Sequence, residues 1–274
     1  MIFPAPMPFE QAIEAREVKS LLPTDFRTRL LREIPAMLRE RAMFSAGVTK
    51  TEFLQKASDS INELVAGTTD RATKRAQLKQ LLEELGYRPA EGAEGTLTDL
   101  SSDARLNLIL DTNLEQAQGY GHFQEGQDPA ILDQWPAQEL IRVMETKVQR
   151  DWPSRWEQAG GQFYGGRMIA LKDDDVWDKL GDSSLFDDGL DNPYPPFAFN
   201  SGMDVQDVDR DTAIDLGLID RDTQVAPEDR GFNDDLEASP DVRDRALKSA
   251  LQDLFQGLAH FDRGGVLRWG KAAA

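Results

Sequence analysis

Apolar residues recur every three or four positions through the first ninety residues, and this period predicts a run of short helices. Phe9, Ile13 and Val18 fall near one face of 8–22, which Pro23 stops. A second helix is expected over 24–34. Pro35 opens a third over 35–47, at a first-turn position where its missing N–H is harmless. The clearest helix is 49–67. Thr49 and Glu52 have capping-box spacing, Phe53, Ala57, Ile61 and Leu64 form the stripe, and Gly67 ends it. Leu78, Leu81, Leu82 and Leu85 mark another helix, stopping at Gly86.

Residues 87–102 are rich in Gly, Pro and small polar side chains and read as a hinge-like linker. Ser101 or Ser102 then caps a helix whose apolar face is Leu106, Ile109, Leu110 and Leu114. That helix carries a polar trio in its middle, Asp111-Thr112-Asn113, and two glycines, Gly119 and Gly121, which suit close backbone approach or a tight exit. Beyond residue 124 the pattern changes. Segments 139–148 and 167–171 read as strands, the second running into an acidic turn. Between them, 150–161 is a short helix or turn with Trp152 and Trp156. The stretch DNPYPPFAFNSGM (191–203) has too many prolines for a regular element and is expected as an extended loop held by Tyr194, Phe197 and Phe199. A short helix is expected around 211–216, ended by Gly217. Residues 219–241 are polar and acidic. A final amphipathic helix over 241–261 sets Val242, Ala246, Ala250, Leu254 and Leu258 on one stripe, with His260 at its end.

Charge sharpens this division. The net charge is −18, and residues 171–274 hold 24 acidic against 11 basic side chains, whereas 1–100 nearly balance at 15 and 14. A basic footprint for nucleic-acid phosphates is missing, so tight direct DNA binding is not expected. No apolar run reaches the roughly 20 residues of a membrane helix, and the first residues lack the pattern of a secretory signal. With no cysteine and two histidines, thiolate sites, disulfides and multi-histidine metal sites within one chain are excluded.

Candidate chemistry is sparse. Asp207, Asp209 and Asp211 match the opening of a calcium loop, but Thr212 and Leu218 stand where that loop needs Gly and Glu, so a solvated capping cluster is expected. Asp173-Asp174-Asp175 reads as an exposed turn. No nucleophile elbow, P-loop or H-E-x-x-H is present. GGQFYGG (160–166) is a weak phosphate cradle. His122 beside Gly121 suits a helix end, and Trp152, Trp156 and Trp177 suit anchors of a small core under long loops. No catalytic residue, metal ligand or cofactor is expected.

The segment RLNLILDTNLEQAQGYGHF resembles the signature of the Mu F-like minor head proteins of tailed phages, the head-morphogenesis family. The matching positions are Arg105, Ile109, Thr112-Asn113, Ala117, Gly119 and Phe123. Other segments agree in order: Lys19 with Pro23-Thr24; Arg41, Ala42, Phe44, Ala46 and Gly47; Gly67-Thr68 and Gly86-Tyr87; then Trp177, Tyr194-Pro195-Pro196, Asn200 and Gly202. The resemblance spans about residues 8–218. Many members carry a Cys-Arg-Cys run and a preceding histidine; this chain has neither, so no metal or disulfide role transfers.

Together these readings give an α+β, predominantly α-helical chain. An N-terminal helical region (1–88) and a linker (89–101) precede a small mixed α/β core with long Pro-rich loops (102–218), an acidic linker (219–241) and a C-terminal amphipathic helix and tail (242–274). The resemblance implies a non-enzymatic virion protein, made in the host cytoplasm and held in the phage head, associated with the portal and other head proteins. It acts there in morphogenesis, DNA packaging or delivery. Arg105, Thr112, Asn113, Trp177, Tyr194, Pro195, Pro196 and Asn200 are the expected structural junction, with Thr112 and Asn113 bonding the backbone of the Pro-rich loop. Val242, Leu247, Leu251, Leu254, Phe255 and Leu258 are the expected partner face. The alternative is a metal-dependent hydrolase using Asp173–Asp175 or the acids from Asp204 to Asp211.

Overall fold

Helices dominate the computed structural model, with short antiparallel strands gathered late in the chain, as the α+β reading expects. It describes residues 10–17, 19–21, 24, 42–43, 45–145 and 150–228, and the backbone of 237–238, 259–261 and 267–269. Two compact units divide the chain, one comprising 1–8, 13–111 and 231–274 and the other 9–12 and 112–230.

In the first unit, α1 (Glu10–Glu17) is followed by β1 (Ser20–Leu21), which pairs in parallel with β2 (Ala42–Met43). The helices expected over 8–22 and 35–47 are corrected at these residues: both segments turn extended where they exchange backbone hydrogen bonds, a pairing no local pattern announces. The helix expected over 24–34 lies outside the described residues, apart from Thr24. Helix α2 (Thr51–Val65) buries Phe53, Leu54, Ala57, Ile61 and Val65, the stripe its spacing requires. Its N-cap is Lys50, with no side-chain cap, so the capping box fails: Thr49 lies one residue too early and Glu52 sits in the second helical position. The other end follows the sequence. Gly67 adopts φ 68°, and the N–H groups of Gly67 and Thr68 donate to Leu64 and Glu63.

Helix α3 (Arg71–Glu84) starts at Asp70, whose carboxylate accepts from Thr73 N and Oγ1. The presumed hinge after it is a wound series of turns. Asp99 accepts from Gly95 N and from Ser101 N and Oγ, and Tyr87 Oη accepts from Leu100 N. Ser102 then caps α4 (Asp103–Gly126), accepting from Arg105 N at 3.0 Å.

The first part of α4 explains one member of the polar trio. Arg71, Arg75 and Lys79 are spaced by four along α3, as Asp103, Asn107 and Asp111 are along α4. Lys79 and Arg75 reach Asp103 at 2.8 and 3.0 Å, Arg75 donates to Asn107, and Arg71 lies 3.0 Å from Asp111. The two helices therefore run antiparallel along a polar ladder. Each rung is half-exposed and contributes only about 0–1 kcal/mol; its value is register. At Asp111 the Arg71 contact is a charge contact without an aligned hydrogen bond, because Oδ1 has no donor in line. Burial therefore raises the Asp111 carboxyl above its ordinary range against the pull of Arg71 and Arg75.

In the second unit, β3 (Ala137–Arg142) is the centre of an antiparallel sheet ordered β4-β5-β3-β6, with β4 Phe163–Tyr164, β5 Arg167–Leu171 and β6 Met203–Val208. The strand expected over 139–148 begins earlier and ends at Arg142. GGQFYGG is part of a hairpin: Gly165 and Gly166 form its turn with φ 59° and 80°. Both sheet faces are covered. Leu140, Ala170 and Met203 pack with Trp152 and Trp156 of α6 (Trp152–Gln158), with Trp177 and Leu180 of α7 (Val176–Gly181), and with Phe197. Ala137, Ile169 and Val208 pack with Ala213 of α8 (Arg210–Asp215) and Ile219. Between α4 and β3 lies the short α5 (Pro129–Gln134), capped by Asp128.

Backbone pairs β7 (Glu237–Ala238) and β8 (Ala259–Phe261) with β9 (Leu267–Trp269). This corrects the end of the last expected helix: Ala259–Phe261, His260 included, is strand. Its proposed partner face, Val242, Leu247, Leu251, Leu254, Phe255 and Leu258, lies outside the described residues.

Arg16 is the critical buried cation of the first unit. It is 2% exposed, and Nε and Nη2 donate to Asn62 Oδ1 and Ser58 Oγ at 3.1 and 3.0 Å. Burial lowers its pKa to about 10. Removing one acceptor leaves a buried charged donor short of a partner, so Ser58→Ala is expected to cost about 1–3 kcal/mol. Urea unfolding, read by circular dichroism, measures it.

Candidate functional site

The Pro-rich loop is the most heavily engineered part of the second unit, because its buried backbone has almost no ladder to satisfy it. Residues 192–198 are all buried. One isolated bridge, Gly189 to Ala198, is its only strand-like pairing among the described residues. The missing donors come from side chains. Asn192 Nδ2 donates to the carbonyls of Tyr194 and Pro196. Arg150 donates to Phe199 and Asn200 carbonyls at 2.6 and 2.9 Å. Arg155, 6% exposed, donates twice to Leu180 O, at the end of α7, which lies beside the loop: a Cβ on Gly181 would stand 2.4 Å from Asn192 O.

Both arginines converge on Asp188, with Arg150 Nε at 2.5 Å and Arg155 Nη1 at 2.6 Å. Burial works to raise the Asp188 carboxyl, but the hydrogen bond from Arg155 and the two positive charges outweigh it and hold the group below its ordinary range. The Arg155 guanidinium also lies 4.0 Å from the Phe186 ring centroid and 4.9 Å from that of Trp152.

Helix α4 supplies the opposite wall by shape. A Cβ on Gly119 would come within 1.8 Å of Pro195 O, so only glycine lets the loop lie against the helix. Tyr120 and Phe123 meet the Tyr194 ring at 5.7 and 5.6 Å. Thus α4 continues through Gly119 and Gly121 to Gly126; Gly119 serves close approach, and no exit occurs there.

The expected junction residues separate on inspection. Trp177, Tyr194, Pro195 and Pro196 are buried together, with Trp177 stacked on Phe197 at 6.1 Å and donating Nε1 to Leu171 O. Asn200 is exposed at φ 52°, its carbonyl taken by Arg150. Arg105 works in the first unit, donating to Ser45 Oγ and Ala46 O. Thr112 and Asn113 are half-buried on α4. Carbonyls of the 192–200 segment accept from Arg150 and Asn192, while Arg155 donates to Leu180 O of the adjoining α7.

The acidic candidates have local structural jobs. Asp209 caps α8 through Thr212 N and Oγ1, Asp174 accepts from Val176 N, and Asp173 accepts from Ala226 N. Asp207 pairs with Lys172 at 2.8 Å. Among the described residues no three acids or histidines gather as a metal site. The chain from Ile219 to Glu228 is tied down by Arg210 to Thr223 O and by Glu228 N to Gln127.

A cleft of about 390 Å3 opens beside the loop, lined by Phe123, Gly126, Trp135, Lys172, Tyr194 and Asp207 among others. Lys172 is 6% exposed, and even a Cβ on Gly126 would leave ordinary contact with its Nζ at 3.5 Å. Sequence reading missed Lys172. Its parity with Met168 and Ala170 along β5 was a usable signal, but the register that sets Asp207 beside it was not readable.

Compared with protein-family models, curated proteins and solved structures, the chain matches none. No described helix is long and apolar enough to cross a membrane.

Gly119→Ala is expected to destabilise the second unit by about 1–3 kcal/mol through overpacking on a backbone carbonyl, while Gly126→Ala is expected to be neutral or slightly stabilising. Paired thermal melts distinguish them. For Asp188, a depressed carboxyl contributes stability that is present above its unfolded pKa and lost as pH falls through the folded one. Asp188→Asn should therefore cost about 1–3 kcal/mol at pH 7, and its difference from the parent should shrink below about pH 4. Urea midpoints across that range test the sign.

Proposed function

We propose that this chain is a minor head protein of a tailed phage or prophage, a structural component that acts in head morphogenesis, DNA packaging or delivery through association with the portal. The observation that carries this reading is where the resembling positions lie. Gly119 and Phe123 of α4, Trp177 of α7 and Tyr194 to Pro196 of the loop are far apart in sequence yet share one packed region of the second unit. Resembling positions that meet in space support a shared fold for this unit; Arg105 and the positions from Arg41 to Tyr87 belong to the first unit.

The chemistry of that region supports a load-transmitting body. Arg150 and Asn192 hold loop carbonyls, Arg155 holds the Leu180 carbonyl of α7, and Trp156 and Trp177 donate to main-chain oxygens. Side chains used in this way fix backbone geometry, as a part built into an assembly needs. Carboxylates that the hydrolase alternative would recruit are engaged by the chain's own backbone and by Lys172. Its charge of −18 opposes direct binding to free DNA.

Co-expression with the portal protein that this reading expects to be encoded beside it tests the proposal. The chain is expected to co-purify with the portal in few copies, and deletion of residues 241–274 to abolish this if the terminal segment is the contact. Retention after deletion would move the contact to the folded core. Failure of the full-length chain to associate, together with tight, salt-sensitive binding to DNA, would overturn the proposal.

A further inference from the structure

The cleft of about 390 Å3 in the second unit has a composition that selects a ligand. Three aromatic side chains, Phe123, Trp135 and Tyr194, line it, and three carboxylates, Glu125, Asp204 and Asp207, stand around it against one ammonium, Lys172. That ammonium is already engaged: its side chain is 5% exposed, and Nζ sits 2.8 Å from Asp207 Oδ1 inside the wall. Glu125 and Asp204 are exposed, and the Asp207 side chain is 48% exposed. Asp204 Oδ1 accepts from Val205 N, which fixes that carboxylate without neutralising it. His122, 4.0 Å from Glu125, stands at the mouth.

We infer that this cleft is a docking site for an arginine side chain presented by a partner protein. Charge complementarity selects a cation, because negative charge exceeds positive around the opening. Aromatic lining selects the guanidinium over the ammonium: a planar, weakly hydrated cation stacks on rings and forks onto carboxylates, whereas a compact ammonium holds its water. Size agrees, since the cleft holds a long side chain and some flanking backbone and falls at the small end of ligand sites. The walls are also preorganised. Gly119 seats Pro195 on α4, and Tyr194 is fixed against Tyr120 and Phe123, so little ordering is needed on binding. The inference stands on the cleft's chemistry and does not depend on the head-protein reading.

The test titrates the full-length protein with the peptide N-acetyl-Gly-Arg-Gly-amide, followed by tryptophan fluorescence and saturation-transfer NMR. Two control peptides replace arginine with lysine or with uncharged citrulline. The arginine peptide is expected to bind about fivefold more tightly than the lysine peptide and at least about tenfold more tightly than the citrulline one. The double variant Glu125→Gln/Asp204→Asn changes two exposed side chains and should keep the parent melting temperature. It should lose affinity by about tenfold or more. No binding, equal binding of the citrulline peptide, or unchanged affinity in the double variant would overturn the inference. So would displacement of the peptide by inorganic phosphate at constant ionic strength, which would make Lys172 the determinant of the site.

Discussion

A buried peptide segment must satisfy its carbonyls whether or not a neighbouring strand is present, and in the second unit that requirement organises almost everything else. Prolines at 193, 195 and 196 remove three N–H donors from the loop, so that backbone pairing is confined to the bridge at Gly189 and Ala198 among the described residues, while burial removes water. Donors therefore come from side chains, and the strongest available are guanidinium groups. Arg155 is fixed by Asp188, by two rings and by the α7 carbonyl; Arg150 is fixed by the same carboxylate. Asp188 is thus the counter-charge that makes two buried or half-buried arginines tolerable, and its depressed pKa is the electrostatic signature of that arrangement.

The first unit solves a different problem with a different device. Its apolar stripes are narrow, and the helices α3 and α4 meet along charges spaced by four. Such rungs contribute little energy singly, but a shift of one helical turn along the partner would leave an end charge without its rung. Asp111 closes the ladder imperfectly, since burial raises its pKa against two nearby arginines. The polar interruption in the middle of α4 is therefore, at that residue, a register mark for α3, while Gly119 further along serves the loop.

Both devices use polar groups to fix geometry. The cleft beside the loop belongs to the same economy of space. Its wall is smooth because Gly119 and Gly126 carry no side chain, and its ammonium is engaged because Asp207 lies across the sheet from β5. What the cleft presents is partly buried aromatic surface rimmed by excess negative charge, the property that recommends it as a contact for a basic partner.

Elements governed by neighbours within one or two turns were legible in the chain itself. The stripe of α2, the Ser102 cap, the glycine stops at 67, 86 and 217, the acidic caps and the buried role of three tryptophans are local consequences of residue type and spacing. The strands at Ala42–Met43 and Ala259–Phe261 were not, because pairing with another segment, twenty-two residues away for the first and six to ten for the second, outweighs helical periodicity over two or three residues. Nor was the pairing of the two arginines: Arg150 and Arg155 look like ordinary surface charges until folding sets both beside Asp188, one on loop carbonyls and the other on the end of α7. The amino-acid order fixes which groups need partners, since prolines, glycines and buried charges declare that need wherever they stand. Only the folded chain decides which partners they meet, because that depends on strand register and helix approach between residues tens of positions apart.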